Sequence, residues 1–267
     1  MTASIMSDNR KSLKKLFTEN RIFGNVVYPV AGIGVVLLIW YLAALFIGVE
    51  MVLPSPGRAF EEFFTLLTEE EFWVSIGNTL LRTLVAFALA FAVAALTSSL
   101  SVFVSPVGRA LSPIITILRS VPTMSIILIA IIAFKPTESP VLVTFLISFP
   151  LLHAAFFHAL SEVDPYCVNM SKVFKVPVAK RIFGLYIPAI LPDVFSATGS
   201  NISLALKVMI ASEVLAQTFE SVGVAMQIER IYLNTAGILG WTIAAIILSF
   251  VLEFIVKILS KLVLRWK

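Results

Sequence analysis

The chain has 267 residues, of which 59% are hydrophobic and 13% are charged, and its mean hydropathy is +0.98. A soluble domain carries about 25% charged residues, so this chain has too little charge to cover a water-facing surface. Two histidines and one cysteine exclude a disulfide-rich scaffold and a metal site built from clustered His and Cys ligands. The composition therefore predicts an all-α integral membrane protein without a metal site.

Six stretches of the chain are long and apolar enough to cross a bilayer, which takes about 20 residues per helix. Four of them carry no charge, and two carry a single one, Arg119 in the third and Lys207 in the fifth. The six predicted spans cover residues 26–49, 83–108, 110–134, 139–161, 194–212 and 231–252. We expect an N-terminal segment over 1–25, followed by one transmembrane domain over 26–267.

The basic residues are unevenly distributed between the two sides that six spans create. The N-terminal segment, the loops after the second and fourth spans, and the C-terminal tail hold fourteen of the twenty Lys and Arg residues. The connection after the first span is instead rich in glutamate. Because Lys and Arg accumulate on the cytoplasmic side, both termini are predicted to be cytoplasmic. This distribution accounts for the net charge of +4 without a nucleic-acid partner.

The longest polar connection covers residues 160–188. Asp164 and Pro165 are typical of an N-cap and a first helical position, and Val176-Pro177 interrupts the apolar periodicity. Two short amphipathic helices are therefore predicted. The pattern fits two roles, a hairpin onto which another protein docks or an interfacial helix that lies on membrane lipid.

The fifth span carries a polar stripe at helical spacing. Its members are Ser196, Ser200, Ser203 and Lys207. A charge near the bilayer centre costs at least about 2.5 kcal/mol, so Lys207 requires an explanation. The stripe is interpreted either as the lining of a pathway that attracts an anionic solute or as a packing face between helices. Glu213, near the external end of this span, is a further pathway candidate, with Lys207, Arg230 or a second subunit as its partner.

Other polar residues of the spans have simpler interpretations. Arg82 and Arg119 lie near span ends, where long cationic side chains reach the interface. His153 and His158 are five residues apart and do not share a helix face, which favours hydrogen bonds to neighbouring helices over metal binding. Close packing is predicted along the second span, where small residues recur at Ala86, Ala90 and Ala94.

The loop over 160–188 resembles the coupling loop of permeases in binding-protein-dependent ABC importers. That family's pattern is Glu-Ala-Ala, a three-residue gap, Gly, a spacer, and then an apolar residue and Pro. Aligned on the VDP and IPAILP segments, Asn169 stands at the Glu, Met170 and Ser171 at the two Ala, and Lys175 at the Gly. The order of the motif is kept, while its named residues are largely replaced.

Three other stretches resemble the nitrate/sulfonate/taurine branch of the same family, and the resemblance covers roughly residues 50–267. MVLPSPGRAFEEFFTLL is similar to the branch's LPSP segment and the amphipathic helix after it. Leu118, Arg119 and Pro122 match its Leu-Arg-x-x-Pro opening of span three. Glu213 and Gly223 match the acidic end of span five and the second Gly of a Gly-x-Gly turn, in which Ser221 replaces the first.

The resemblance implies a six-helix type I ABC importer permease, of MetI-like architecture, with a cytoplasmic coupling loop over 160–188. Its coupling residues would be Asp164, Pro165, Asn169, Met170, Ser171, Lys172, Lys175 and Pro188. It also implies a homodimer in a bacterial or archaeal cytoplasmic membrane, a cytoplasmic ATPase dimer that holds ATP and Mg²⁺, and an extracytoplasmic substrate-binding protein. The chain itself would bind no cofactor, and its sequence has no GxxxxGK[ST] loop. The implied solute is small, of the nitrate, sulfonate, taurine or pyrimidine-precursor type.

Three other classes of membrane protein share some of these features. The transmembrane coupling subunit of an energy-coupling-factor transporter has a similar size, but its Ala-Arg-Gly motif is absent from this loop. A secondary transporter is expected to contain internal repeats, and the two halves show no convincing one. A membrane enzyme needs clustered carboxylates or histidines at a membrane face. The acidic run 69–71 adjoins Phe72 and Trp73 and is more typical of a solvated helix end.

Overall fold

The computed structural model describes residues 21–264, with side chains from residue 27 onward, and all regular elements in that part of the chain are helical. The helices are α1 (Arg21–Ile47), α2 (Pro56–Leu66), α3 (Glu70–Phe103), α4 (Ser105–Ser120), α5 (Thr123–Ala133), α6 (Ser139–Ser161), α7 (Pro165–Val173), α8 (Val178–Arg181), α9 (Ile187–Ala216), α10 (Val222–Ile231) and α11 (Thr235–Val263). The predicted all-α class is confirmed. Most of the predicted segment 1–25 and the basic residues after 264 lie outside the described residues.

Five helical runs in the described chain are long and apolar enough to cross a membrane, or six if α4 and α5 together form one span. These two helices meet at an angle of 95°, so the predicted span 110–134 is not one straight helix. Pro122 causes the break, because it has no amide donor and disfavours helical backbone at the residue before it. Val121 is accordingly extended, with φ −70° and ψ 129°. The eleven residues of α5 measure about 16 Å, too short to cross a bilayer alone.

The centre of the fold is the packing of α3, α6 and α9. Ala86, Ala90 and Ala94 are fully buried, as the small-residue repeat predicts. Their short side chains allow close contact with α6, whose Leu152 and Phe156 belong to the same buried cluster as Ala90 and Ala94. His153 on α6 lies 2.8 Å from the Thr97 hydroxyl on α3, which confirms the predicted interhelical hydrogen bond for this residue. The same prediction is wrong for His158, which is exposed and lies 3.4 Å from Glu162 at the end of its own helix. Buried apolar contact and a few hydrogen bonds thus hold the three central helices together.

Helix α1 is nearly uncovered by the rest of the described chain. Ala44 is the one buried side chain among its described residues. The Trp40 indole N–H donates to the Pro54 carbonyl at 3.0 Å and ties the end of α1 to the turn before α2. In a bilayer the remaining apolar surface of α1 contacts lipid or another subunit.

Candidate functional site

Helix α7 begins as the sequence predicts. The Asp164 carboxylate accepts a hydrogen bond from the Tyr166 amide at 2.8 Å, and Pro165 occupies the first turn, where an amide donor is not required. The same nine-residue helix carries Asn169, Met170, Ser171 and Lys172. Six of the eight predicted coupling residues are therefore adjacent on one capped helix.

The end of α7 explains the position of Lys175. Lys175 has a positive φ of 52°. Its amide donates to the Lys172 carbonyl at 3.0 Å, and the Val176 amide donates to the Ser171 carbonyl at 2.9 Å. These two bonds form a Schellman motif, whose left-handed position usually holds glycine. The family pattern has Gly at the aligned position, so the backbone keeps the turn although the residue has changed.

The second half of the loop differs from the prediction of a separate short helix. The break at Val176-Pro177 is confirmed, since Pro177 precedes α8. However, α8 continues through a π-helical turn, Ile182–Tyr186, into α9, and Pro188 is half-buried in the first turn of that long helix. The run from Val178 to Ala216 is therefore helical throughout. Pro188 thus lies inside this run, directly after the π-helical turn, and such a local π adjustment accommodates the missing amide donor of a proline.

The surface of α7 carries large apolar side chains that are uncovered within the described chain. None of its residues is buried. Tyr166 is 85% exposed and Val173 77% exposed, and Phe174 immediately after the helix is 74% exposed. We name residues 164–176 the coupling segment. Its structure depends on local contacts, and its large apolar side chains have no neighbours in the described chain that bury them.

An open groove runs between α9 and α11. It consists of two cavities, of 790 Å³ and 570 Å³, that share Phe250 and Glu253, and we name them together the α9–α11 groove. Ser196 and Ser200 line the first cavity, and Lys207 lines the second. Three of the four predicted stripe residues thus share one groove, with all three side chains exposed.

Ser203 differs from the rest of the stripe because it is buried against α11. Its hydroxyl donates to the carboxylate of Glu253. Sequence reasoning missed Glu253 because the uncharged run 231–252 ends directly before it, whereas α11 continues to Val263. The apolar residues on both sides of this glutamate were the available signal that it lies inside a helix. Within the described chain, Ser203 is thus the one stripe residue whose side chain is buried against another helix.

Glu213 does not line the groove, so its assignment to the pathway is corrected. Its side chain is fully buried and forms an ion pair with Arg82 on α3, with an Nη1–Oε1 distance of 3.2 Å. The Thr79 hydroxyl donates to Oε2 at 2.9 Å, and the Gly223 amide donates to the same oxygen at 3.4 Å. We name Thr79, Arg82, Glu213 and Gly223 the outer clasp. It joins α3, α9 and α10.

Arg82 was predicted to reach the interface, and the outer clasp shows that this was wrong. Its guanidinium also donates to the Phe219 carbonyl at 3.3 Å. Gly223 packs so closely that an added Cβ would lie 2.5 Å from the Cβ of Glu213 and 2.6 Å from the Val214 amide nitrogen. Gly223, which matches the second Gly of the family's Gly-x-Gly turn, is therefore required because no side chain fits at this position. Arg119, by contrast, is exposed in the last turn of α4, and its interfacial role stays a prediction.

An acidic cleft of 560 Å³ lies at the end of the molecule that holds the outer clasp. The five glutamates that line it are Glu69, Glu70, Glu71, Glu220 and Glu229. Burial raises the pKa of Glu229, and the nearby carboxylates of Glu62 and Glu69 add to this rise, while the hydrogen bond from Asn234 opposes it. The glutamate-rich connection and the acidic end of α10 are thus brought together, although they are distant in sequence.

Comparison with known proteins gives a consistent result. The family described as "binding-protein-dependent transport system inner membrane component" matches residues 101–266. A nitrate import permease protein from Synechocystis sp. is 27% identical over 201 residues, which cover 71% of this chain and 72% of that protein. A bicarbonate transport system permease protein from the same organism is 25% identical over 224 residues, which cover 79% and 78% of the two chains.

A solved structure supports the same fold. A bacterial ABC transporter involved in the import of the acidic polysaccharide alginate matches with a TM-score of 0.61 and 14% identity, over 91% of this chain and 99% of that one. The family match and the fold confirm the resemblance, including its nitrate/sulfonate branch, and set the three alternatives aside. The chain belongs to the inner-membrane components of binding-protein-dependent transport systems, and it is a multi-pass permease subunit of an ABC importer whose ATPase is a separate subunit.

Proposed function

We propose that this permease forms, with a second copy of itself, the pathway for a small solute, and that the coupling segment transmits the motion of the ATPase subunits to the α9–α11 groove. The continuous helical run from Val178 to Ala216 carries this proposal. It begins directly after the coupling segment and bears Ser196, Ser200 and Lys207. A displacement of the coupling segment would therefore move groove residues as part of one rigid element.

The exposed side chains of the coupling segment are the proposed contact with the ATPase dimer. Tyr166, Met170, Val173 and Phe174 are large, apolar and exposed. A cluster of this kind marks a protein interface, because its burial against a partner removes apolar surface from water. The basic residues Lys172 and Lys175 lie beside it. ATP and Mg²⁺ would be held by the partner, and this chain would bind no cofactor.

The groove favours a homodimer with the pathway between its two copies. Lys207 and Glu253 are exposed on helices that cross the membrane. Lipid would leave both charges unsolvated at a cost of about 2.5–3.5 kcal/mol each on insertion scales, whereas a water-filled space between two subunits would not. The uncovered surface of α1 offers a further contact to the second copy or to lipid.

The proposed orientation follows the positive-inside rule, with both termini and the coupling segment in the cytoplasm of a bacterial or archaeal cell. The outer clasp and the acidic cleft would then face outward, where the substrate-binding protein delivers its solute. A nucleic-acid partner is not proposed. The proposed solute is small, of the nitrate, sulfonate, taurine or pyrimidine-precursor type, because the relatives named above are permeases for nitrate and bicarbonate.

A matched pair of tyrosine substitutions tests the coupling segment. Tyr166 in the coupling segment is 85% exposed, and Tyr232 after α10 is 77% exposed. We expect Tyr166→Ala to reduce the amount of ATPase that co-purifies with the permease from membranes, and Tyr232→Ala to leave it unchanged. Tyrosine is enriched among the minority of interface residues that cost more than about 1 kcal/mol when truncated, and a loss of about 1–2 kcal/mol corresponds to about fivefold to thirtyfold in affinity.

The stronger version of this test scrambles residues 165–180 as a whole. If the ATPase still co-purifies in wild-type amounts, the coupling role is wrong. A thermal unfolding curve of the scrambled permease in detergent is the control. We expect it to be close to that of the wild type, because no residue of α7 is buried.

A further inference from the structure

The α9–α11 groove contains charges of both signs at neighbouring positions. Lys207 and Glu253 line the same 570 Å³ cavity, and both side chains are exposed. Ser203 contacts the Glu253 carboxylate, and Lys207 lies one helical turn, about 6 Å, further along α9 from Ser203. Neither charged group has an ion-pair partner within 4.0 Å in residues 27–264. Both charges are therefore directed to the cavity and not to each other.

Packing alone does not account for a carboxylate at this position. Helices in membranes associate through small residues and neutral hydrogen bonds, and Ser203 could pack against an uncharged residue at lower cost. Ionisable residues at membrane depth instead mark solute or ion pathways. The hydrogen bond from Ser203 orients the carboxylate of Glu253 within the groove.

The cavity with Lys207 is balanced in charge. Its lining includes one basic and one acidic side chain. Lys257 lines the other cavity, one turn beyond Glu253, and Lys261 follows in the last turn of α11. Lysines near a helix end extend toward the interface, so they add little positive charge at the level of Lys207. A simple anion would meet attraction from Lys207 and repulsion from Glu253 that largely cancel.

We propose that Lys207 and Glu253 form a two-charge recognition point in the α9–α11 groove, which favours a solute that carries an ammonium group as well as an acidic group. The acidic group would lie beside Lys207 and the ammonium group beside Glu253. Glu253 is then the residue that gives the groove its preference for such solutes over simple anions. This inference rests on the proposed function, in which the groove lines the pathway.

Reporter cysteines test the charge of the groove directly. Cys167 is the single cysteine of the chain, so Cys167→Ser provides a cysteine-free background. Ser249 and Thr242 both line the cavity with Lys207 and Glu253. Ser249→Cys places a thiol one helical turn, about 6 Å, from Glu253, whereas Thr242→Cys places one about 16 Å away. The assembled transporter in membrane vesicles is labelled with a cationic and an anionic methanethiosulfonate of similar size, and the ratio of the two rates is measured.

We expect Glu253→Gln to lower the cation-to-anion ratio at position 249 by about tenfold at low ionic strength, because one unit charge about 6 Å away changes each rate about threefold in opposite directions. Lys207→Met should raise the same ratio. At position 242 the effect of Glu253→Gln should be smaller, about a twofold change in the ratio, because the Coulomb energy falls with distance and Glu253 is about 16 Å away. Ratios at position 249 that do not respond to Glu253→Gln overturn the inference and leave the proposed pathway intact.

Two further results complete the test. If neither reporter reacts with either reagent, with or without ATP, the groove is dry, and the proposed pathway fails together with the inference. If the reporters do react, protection of the 249 thiol is compared for 3-aminopropane-1-sulfonate and propane-1-sulfonate, which differ by one ammonium group. We expect stronger protection by the amine-bearing solute and loss of this preference in Glu253→Gln. Equal protection by both solutes, or by neither, overturns the two-charge recognition point.

Discussion

The outer clasp and the coupling segment are opposite in construction. The clasp joins Thr79 and Arg82 to Glu213, which is more than 130 positions away in the chain and fully buried. The coupling segment depends on hydrogen bonds between residues at most five positions apart, and no residue of its helix is buried. The chain thus satisfies the polar groups of the clasp by itself, whereas it leaves the apolar side chains of the coupling segment for a partner.

This difference indicates where a substitution acts. A change in the outer clasp alters the stability of the permease, since a buried charge loses its partner or a close contact is overfilled. A change in the coupling segment alters association with the partner subunit, since its side chains contribute little to folding. Substitutions in the two regions should therefore separate stability from association.

The largest effect is expected from the loss of Arg82. Arg82→Met leaves the carboxylate of Glu213 buried without its cation, and such a change costs about 3–5 kcal/mol. Arg58→Met is the matched control, because Arg58 pairs with Glu61 on the surface at 2.9 Å and exposed pairs contribute about 0–1 kcal/mol. The loss of stability in Arg82→Met and in Arg58→Met is measured by thermal unfolding of the permease in detergent. The double variant Arg82→Met with Glu213→Gln should recover part of the loss, and equal losses in the two single variants would contradict a buried pair.

A smaller loss is expected from overfilling the clasp. Gly223→Ala forces a methyl group against the Cβ of Glu213 and the backbone of Val214, and overpacking of this kind costs about 1–3 kcal/mol. Gly77→Ala on α3 is the control, because no atom lies within 4 Å of its added Cβ and alanine favours the helix. The unfolding temperature should fall for Gly223→Ala and stay equal or rise for Gly77→Ala. A fall of the same size in both variants would show that the close contact at Gly223 is not the cause.

The smallest effect is expected at Lys175, where the coupling segment turns with φ at 52°. Lys175→Asn and Lys175→Val both remove the charge, but Asn accepts left-handed backbone and a β-branched residue does not. Left-handed backbone costs an L-residue about 1–2 kcal/mol, and the cost is higher for the β-branched side chain of Lys175→Val, which should distort the Schellman turn. Co-purification of the ATPase should therefore be weaker for Val than for Asn, while the unfolding temperature changes little. Equal co-purification of the two variants would show that the turn geometry does not matter for docking.

Much of the fold could be predicted because its signals are local. The uncharged run 139–161 coincides with α6 (Ser139–Ser161), and Asp164-Pro165 begins α7 as expected. The alanine repeat of α3 is buried as its spacing indicates. The predicted span boundaries at residues 83 and 252 are wrong, because the helices continue through the charged residues Arg82 and Glu253. Helix α3 begins at Glu70 and includes Arg82, because a partner from another helix satisfies that charge.

The partners of polar residues required the tertiary structure. Glu213 pairs with Arg82, which is none of the three partners that the sequence suggests. Glu253 is a groove residue because α9 and α11 lie side by side, and the sequence does not show this neighbourhood. A helical period indicates which residues share a face of one helix, but it contains no information about which helix lies opposite.

The sequence by itself determined that the chain is a helical membrane protein, where its apolar segments lie, and which loop resembles a coupling loop. These features depend on hydropathy, on charge counts and on caps formed by neighbouring residues. Only the tertiary structure decided that Glu213 is buried in a clasp, that Lys207 faces an open groove, and that Glu253 lies beside it. The physical reason is that the environment of a charge is set by residues distant in sequence, and the folded chain alone brings these together.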